Sequence, residues 1–115
     1  MEIIICSAIH YNDGLIYQEQ PLNITSGIVV AGRRHNNAFM TLTQLKPDYK
    51  SEYIDPMFGF ITSNNRYVGR HEGYKIALKA GQVKEKTPTQ YIPFGLIIEK
   101  EDMILISEDL FKGFD

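Results

Sequence analysis

The segment from Arg66 to Gly81 constrains the fold more than any other part of the sequence, because it predicts a strand end, a short helix and a defined stop. Its apolar residues recur at the helical period, so one side of the helix should pack on a core. Gly81 suits the left-handed residue that ends many helices, and Lys79 suits the negative end of the helix dipole. We therefore expect a helix from about residue 70 to residue 80.

Basic side chains crowd the start of this predicted helix, where backbone N–H groups have no partner within the helix. Arginine forks and helix N-termini both favour phosphate-like anions. A second basic segment, Arg33-Arg34-His35, precedes another predicted helix, so the two segments could face one ligand. The predicted ligand-binding residues are Arg33, Arg34, His35, Arg66, Tyr67, Arg70 and His71. The alternative is that these arginines pair with surface carboxylates, that His35 is a core or capping residue, and that His71 is solvated.

The charge distribution narrows the kind of ligand. The net charge is −2, yet residues 33–46 carry three bases and no acid, and residues 63–84 carry five bases and one acid. All four arginines of the chain lie in these two segments. General nucleic-acid binding is not expected, because it requires a net basic face. Local basic segments on an acidic protein favour a small anionic, nucleotide-like ligand instead.

Length and composition indicate one domain that spans residues 1–115. The single cysteine, Cys6, lies in an apolar run, which predicts a buried, inert thiol in a reducing compartment. Nothing in the sequence approaches a membrane span or a signal peptide, so we expect a cytoplasmic protein without a membrane partner.

Apolar runs and turn signals predict an α+β fold, mainly an antiparallel sheet of about five to six strands with two short helices packed on it. The expected strands are residues 2–9 (buried on both faces), 15–17 after an Asn-Asp-Gly turn, 27–31, 57–62, 94–98 and 103–106. The first helix should begin at Asn36 or Asn37 and end near Leu45, with Ala38, Phe39, Leu42 and Leu45 on one face. If it begins a turn earlier, His35 lies on that same face. A short helical turn is expected from Ser107 or Glu108.

No catalytic, metal or cofactor motif is evident. The two-histidine phosphoesterases use paired His-x-Ser/Thr motifs, and none of the three histidines here stands in one. Metal-ligand spacing, phosphate loops and nucleophile elbows are absent as well. We assign no catalytic residue, metal or cofactor. Tyr67, Tyr74 and Tyr91 are the side chains that we would expect to stack on a base, with plain packing as the alternative.

Several short pieces, taken in order, resemble a group of small, largely uncharacterised proteins encoded by phages, prophages and some bacteria. The pieces are Gly32-Arg33-Arg34-His35, Gly59-Phe60-Ile61-Thr62, Arg66-Tyr67-Val68, Arg70, Glu72, Ile76-Ala77, Ala80-Gly81-Gln82 and Ser107-Glu108-Asp109-Leu110. The group often has an acidic residue in the place of Gly69, where it would cap the helix. The resemblance implies similarity in class to the small phage proteins that capture nucleotide signals of bacterial immunity.

Three functions are compatible with these patterns. The leading hypothesis is a binding protein that sequesters a nucleotide-like or other phosphorylated small molecule, with a role in phage–host conflict. The second is a hydrolase on the same ligand class, with His35 or His71 as general base. The third is a protein–protein module or inhibitor, or a homo-oligomeric scaffold, that uses exposed edge strands.

Overall fold

The computed structural model describes residues 1–49, 58–85 and 104–110. Its helices and strands are, in chain order, β1 (Ile4–Tyr11), β2 (Ile28–Gly32), α1 (His35–Leu45), β3 (Phe58–Thr62), β4 (Tyr67–Gly69), α2 (Arg70–Lys79) and α3 (Ser107–Leu110). The four strands form one sheet in the order β2-β1-β3-β4. Every neighbouring pair of strands is antiparallel. The predicted α+β class is confirmed.

One face of the sheet carries the core. The register pairs Ile9 with both Val30 and Phe58, and it pairs Phe60 with Val68, so all five side chains point to the same face. A bulge between Ile4 and Cys6 turns Ile4 to that face as well. Buried side chains of both long helices pack here: Ala38 and Leu42 on the β1 and β2 side, Tyr74 and Ala77 on the β3 and β4 side.

α1 begins earlier than the sequence predicts. Its N-cap is Arg34, whose backbone N–H donates to Oδ1 of Asn37 at 3.0 Å. Asn37 therefore caps the helix from inside its first turn, and the expected start at Asn36 or Asn37 is wrong. The earlier start puts His35 on the buried face with Ala38 and Leu42, as the alternative of an earlier start predicts. Leu45, which the helical spacing places on that face, is exposed.

α2 agrees with its prediction. Gly73 lies where a Cβ would meet Cδ2 of the buried Phe60 at 3.1 Å, so close packing explains a glycine in mid-helix. The helix ends with Gly81 at φ +75°. There the N–H of Gln82 donates to the carbonyl of Ala77 and that of Gly81 to Leu78, which is the Schellman pattern. The Gln82 amide then bonds both backbone groups of Ile4 at 2.8 Å and ties the helix end to β1.

The connection of residues 12–27 reaches from one edge of the sheet to the other. At the β2 edge, Oε1 of Gln20 accepts from the N–H of Val29 at 2.7 Å. At the β4 edge, the amide of Asn23 bonds the carbonyl and the N–H of Tyr67 at 2.6 and 2.8 Å. These amides occupy backbone groups that would otherwise be open to another strand. The expected hairpin strand at residues 15–17 is wrong, because the chain forms this crossing connection instead.

Further expectations are corrected by the described residues. They supply four strands rather than five to six. Residues 104–106 are irregular, whereas the sequence predicts a strand there. Leu105 is nevertheless fully buried, and its N–H donates to the carbonyl of Arg70 at 2.9 Å. The other expected strand of that hairpin, 94–98, lies outside the described residues. β1 is buried on both faces in its middle, where Ser7, Ala8 and Ile9 are fully buried, but not at its start, where Ile5 is 49% exposed and Cys6 is half-buried. Burial still raises the pKa of the Cys6 thiol. The helical turn predicted near Ser107 is confirmed by α3.

The lengths of the described helices bear on membrane insertion. α1 has 11 residues and α2 has 10. A helix that crosses the hydrocarbon core needs about 20 predominantly apolar residues. In the part of the chain that the structure describes, no helix is long and apolar enough to cross a membrane.

Candidate functional site

A groove of about 580 Å³ lies between the first residues of the chain and the outer side of α2. It is lined by Met1, Glu2, Arg66, Glu72, Lys75, Ile76 and Lys79. Its volume falls within the range of about 300–1,000 Å³ that is usual for small-molecule sites. We call it the α2 groove.

Arg66 is held in place at one side of the α2 groove by two carboxylates. Its Nε and Nη2 donate to the two oxygens of Glu2 at 2.9 Å each, and Nη2 also donates to Oε2 of Glu72 at 3.1 Å. The Thr62 hydroxyl donates to Glu2 as well. The Arg66 guanidinium and this hydroxyl lower the pKa of Glu2 to about 2. A guanidinium bound in this two-pronged way has a defined orientation. Its remaining nitrogen, Nη1, bonds no group among the described residues.

Lys75 and Lys79 supply two further positive charges along α2. They stand four residues apart, which places both on one side of a helix with a rise of about 6 Å between them. Both are exposed, and neither forms an ion pair or hydrogen bond within the described residues. The side chains of the lining thus include three cations and two carboxylates, a net side-chain charge of +1. Ile76 adds apolar surface between the lysines.

A second basic region surrounds Phe58 at the start of β3, and we call it the Phe58 junction. The His35 ring stacks on the Phe58 ring with centroids 5.0 Å apart and planes at 10°, and it meets Phe60 edge-on. Nε2 of His35 bonds the Gly59 carbonyl at 2.8 Å. Cζ of Arg70 lies 5.0 Å from the Phe58 ring centroid, and the Nε of Arg70 is buried. The first residues of α1 and α2 therefore meet over one side chain.

The structure brings only part of the predicted site together. His35 and Arg70 share the Phe58 junction, whereas Arg66 lies in the α2 groove. Arg34 is the N-cap of α1, and Arg33 is exposed next to it. Both remain close to the junction in sequence, but the described contacts do not place them against Phe58.

The other two predicted residues lie elsewhere. Tyr67 points to the sheet face opposite the helices, 5.5 Å from the His10 ring between centroids, and burial raises its pKa to about 12. His71 is exposed on α2 and does not line the α2 groove. Of the other tyrosines considered for base stacking, Tyr74 is buried in the core and Tyr91 lies outside the described residues.

Four groove residues were missed as site residues: Glu2, Glu72, Lys75 and Lys79. Helical spacing already indicated that the last three share the solvent side of α2, and that signal could have found them. No sequence signal linked Glu2 to Arg66, because the contact spans 64 residues of chain. In the described part of the chain, no group of three or more His, Cys, Asp or Glu residues could hold a metal ion.

A family model described as phage T4 y16D protein matches residues 3–111. Searches of curated proteins and of solved structures found no match. The expected similarity to small phage-encoded proteins is confirmed at that level, while the detailed motif pattern and the likeness to anti-defence proteins stay predictions. Since the match covers nearly the whole chain, the chain belongs to the phage T4 y16D protein family.

Proposed function

We propose that this protein is a non-catalytic binding protein that holds a small phosphorylated anion in the α2 groove. The observation that carries the proposal is the convergence of three cationic side chains, two of them lysines without a described ion-pair partner, on one concave surface. Lysine ammonium groups and arginine forks are the usual donors to phosphate oxygens.

The balance of charge favours a small ligand over a polyanion. Glu2 and Glu72 stand beside the three cationic side chains, so the net side-chain charge of the lining is only +1. A nucleic-acid strand would bring many phosphates close to these carboxylates and would gain little from counterion release. One or two phosphate groups can contact the lysines and Nη1 of Arg66 while they avoid the carboxylates.

The enzyme alternative is less well supported by the described contacts. His35 is buried, and its Nε2 already bonds the Gly59 carbonyl, so it is poorly placed to take a proton from a ligand in solution. His71 is exposed but lies outside the α2 groove lining. The edge-strand alternative is also weakened, because Gln20 and Asn23 bond backbone groups at the two edges of the sheet.

The biological role that we propose is capture of a nucleotide-like signal during phage–host conflict. Membership of a phage protein family supports a phage setting. Captured ligand would then be released intact when the protein is unfolded.

The test is isothermal titration calorimetry with inorganic phosphate and with a panel of nucleotides at low salt. We expect binding by the wild type and at least tenfold weaker binding by the double variant Lys75→Ala/Lys79→Ala. Lys84→Ala is the matched control, because Lys84 is an exposed lysine outside the groove lining. Equal affinities for the wild type and the double variant would refute the proposal. Recovery of hydrolysed ligand would refute its non-catalytic part.

A further inference from the structure

We infer that the α2 groove recognises a phosphorylated polyol, such as a pentose phosphate, through two different contacts. Lys75 and Lys79 bind the phosphate, and the Glu72 carboxylate accepts hydrogen bonds from hydroxyl groups of the ligand. This inference rests on the proposed binding function and specifies its ligand class.

The free oxygen of Glu72 is the first observation behind this assignment. Oε2 of Glu72 accepts from Arg66, whereas Oε1 accepts no hydrogen bond from any described residue. The side chain is 53% exposed and lines the groove. An ionised carboxylate only accepts hydrogen bonds, and ligand hydroxyl groups are donors that suit it.

Glu2 differs from Glu72 in the number of hydrogen bonds that its carboxylate oxygens accept within the protein. Both oxygens of Glu2 accept from Arg66, and Oε2 accepts from Thr62 as well. Its side chain is only 18% exposed. Glu2 therefore orients Arg66, and Glu72 is the carboxylate that remains able to contact a ligand.

A simple anion gains less from this lining than a ligand that also carries hydroxyl groups. A carboxylate at the groove wall repels phosphate, so a site built for phosphate alone would bind more tightly without Glu72. A ligand that carries hydroxyl groups next to its phosphate turns that carboxylate from a repulsive neighbour into a hydrogen-bond partner. The mixed charge of the lining thus selects ligands that carry both groups.

The described lining includes no aromatic side chain and presents Met1 and Ile76 as its apolar surface. Recognition therefore does not depend on stacking of a base in this groove. The shared chemistry is a phosphorylated sugar, which a free sugar phosphate and the ribose phosphate of a nucleotide both supply. The two sources are separated by comparing ribose 5-phosphate with AMP.

The experiment is calorimetric titration of the wild type and of Glu72→Gln with inorganic phosphate, ribose 5-phosphate, 2-deoxyribose 5-phosphate and AMP. For the wild type we expect ribose 5-phosphate to bind at least tenfold more tightly than phosphate and at least threefold more tightly than its 2-deoxy analogue. AMP should bind within about tenfold of ribose 5-phosphate. Glu72→Gln should bind phosphate more tightly and ribose 5-phosphate more weakly, because it removes both the repulsion and the charged acceptor.

The opposite signs in Glu72→Gln separate a ligand contact from a general charge effect, which would tighten binding of both ligands. Tighter binding of both, or equal wild-type affinities for phosphate and ribose 5-phosphate, would overturn this inference and leave the anion proposal in place. AMP binding much more than tenfold tighter than ribose 5-phosphate would also overturn it, since the base would then dominate recognition. No binding of any of the four compounds would overturn the inference and the proposed function together.

Discussion

The Phe58 junction and the α2 groove both contain basic side chains, and the two regions differ in what those side chains contact. At the junction, His35 stacks on Phe58 and bonds the Gly59 carbonyl, and Arg70 lies over the same ring. In the groove, Lys75 and Lys79 contact no described carboxylate, and Arg66 keeps one nitrogen without a described partner. Basic residues near a helix start therefore do not mark a ligand site by themselves, because the core can use the same side chains.

This difference has an energetic basis. A buried imidazole has lost its water and must be bonded and packed within the protein, so it contributes to stability. An exposed ammonium keeps its water and contributes little to stability, and it stays available to a ligand. Stability measurements should therefore separate the two regions.

The largest expected effect is at the Phe58 junction. Replacing His35 with alanine removes two ring contacts and leaves the Gly59 carbonyl without its bond, which should lower the free energy of unfolding by about 3 kcal/mol. Urea denaturation measures this change. His71→Ala is the matched control, since His71 is an exposed histidine on α2, and its effect should be within about 0.5 kcal/mol. A similar decrease in the free energy of unfolding for both variants would show that the buried and the exposed histidine contribute equally to stability.

An intermediate effect is expected at the Glu2–Arg66 pair, and it depends on pH. The folded-state pKa of Glu2 is lowered from 4.5 to about 2 by Arg66 and Thr62. A lowered pKa contributes stability above the unfolded value, and this contribution is lost as the pH falls from about 4.5 to about 2. Glu2→Gln should therefore be less stable than the wild type at pH 6 and should lose less stability on acidification.

Urea midpoints at pH 6 and pH 2.5 test this prediction. Asp13 titrates in the same window: burial would raise its pKa, but hydrogen bonds from Tyr17, Leu15 and Lys46 lower it to about 2. Asp13→Asn is thus a positive control that reports on the 12–27 connection instead of the groove. A wild-type and a Glu2→Gln protein with the same acid dependence would show that the ion pair adds no stability.

The smallest expected effect on stability is in the α2 groove. Lys75→Ala/Lys79→Ala should leave the free energy of unfolding within about 0.5 kcal/mol of the wild type, because both side chains are exposed and have no described partner. The same variant is the one expected to lose anion binding. Thermal melting without ligand and with saturating phosphate measures both properties. A large loss of stability without ligand would mean that the lysines have a structural role.

Local patterns predicted α2 well and α1 less well. α2 has a glycine at its C-terminal end and apolar residues at helical spacing, and both act within a few residues of chain. Asparagine is a good N-cap, which predicts that α1 starts at Asn36 or Asn37. In the structure Asn37 is the third helical residue, and its Oδ1 accepts from the N–H of Arg34. For residues 12–27 the sequence predicts a hairpin, because the Asn-Asp-Gly turn signal lies within three neighbouring residues. The hydrogen bonds that carry this connection across both sheet edges join residues that are distant in sequence, so no local pattern predicts them.

The sequence by itself determined the α+β class, the two long helices and the presence of two basic segments, since propensity, periodicity and charge are carried by neighbouring residues. Only the tertiary structure decided which basic residues became structural and which line a groove. Glu2 meets Arg66 across 64 residues, and His35 bonds Gly59 across 24. Such contacts depend on strand order and register, so no window of the sequence can display them.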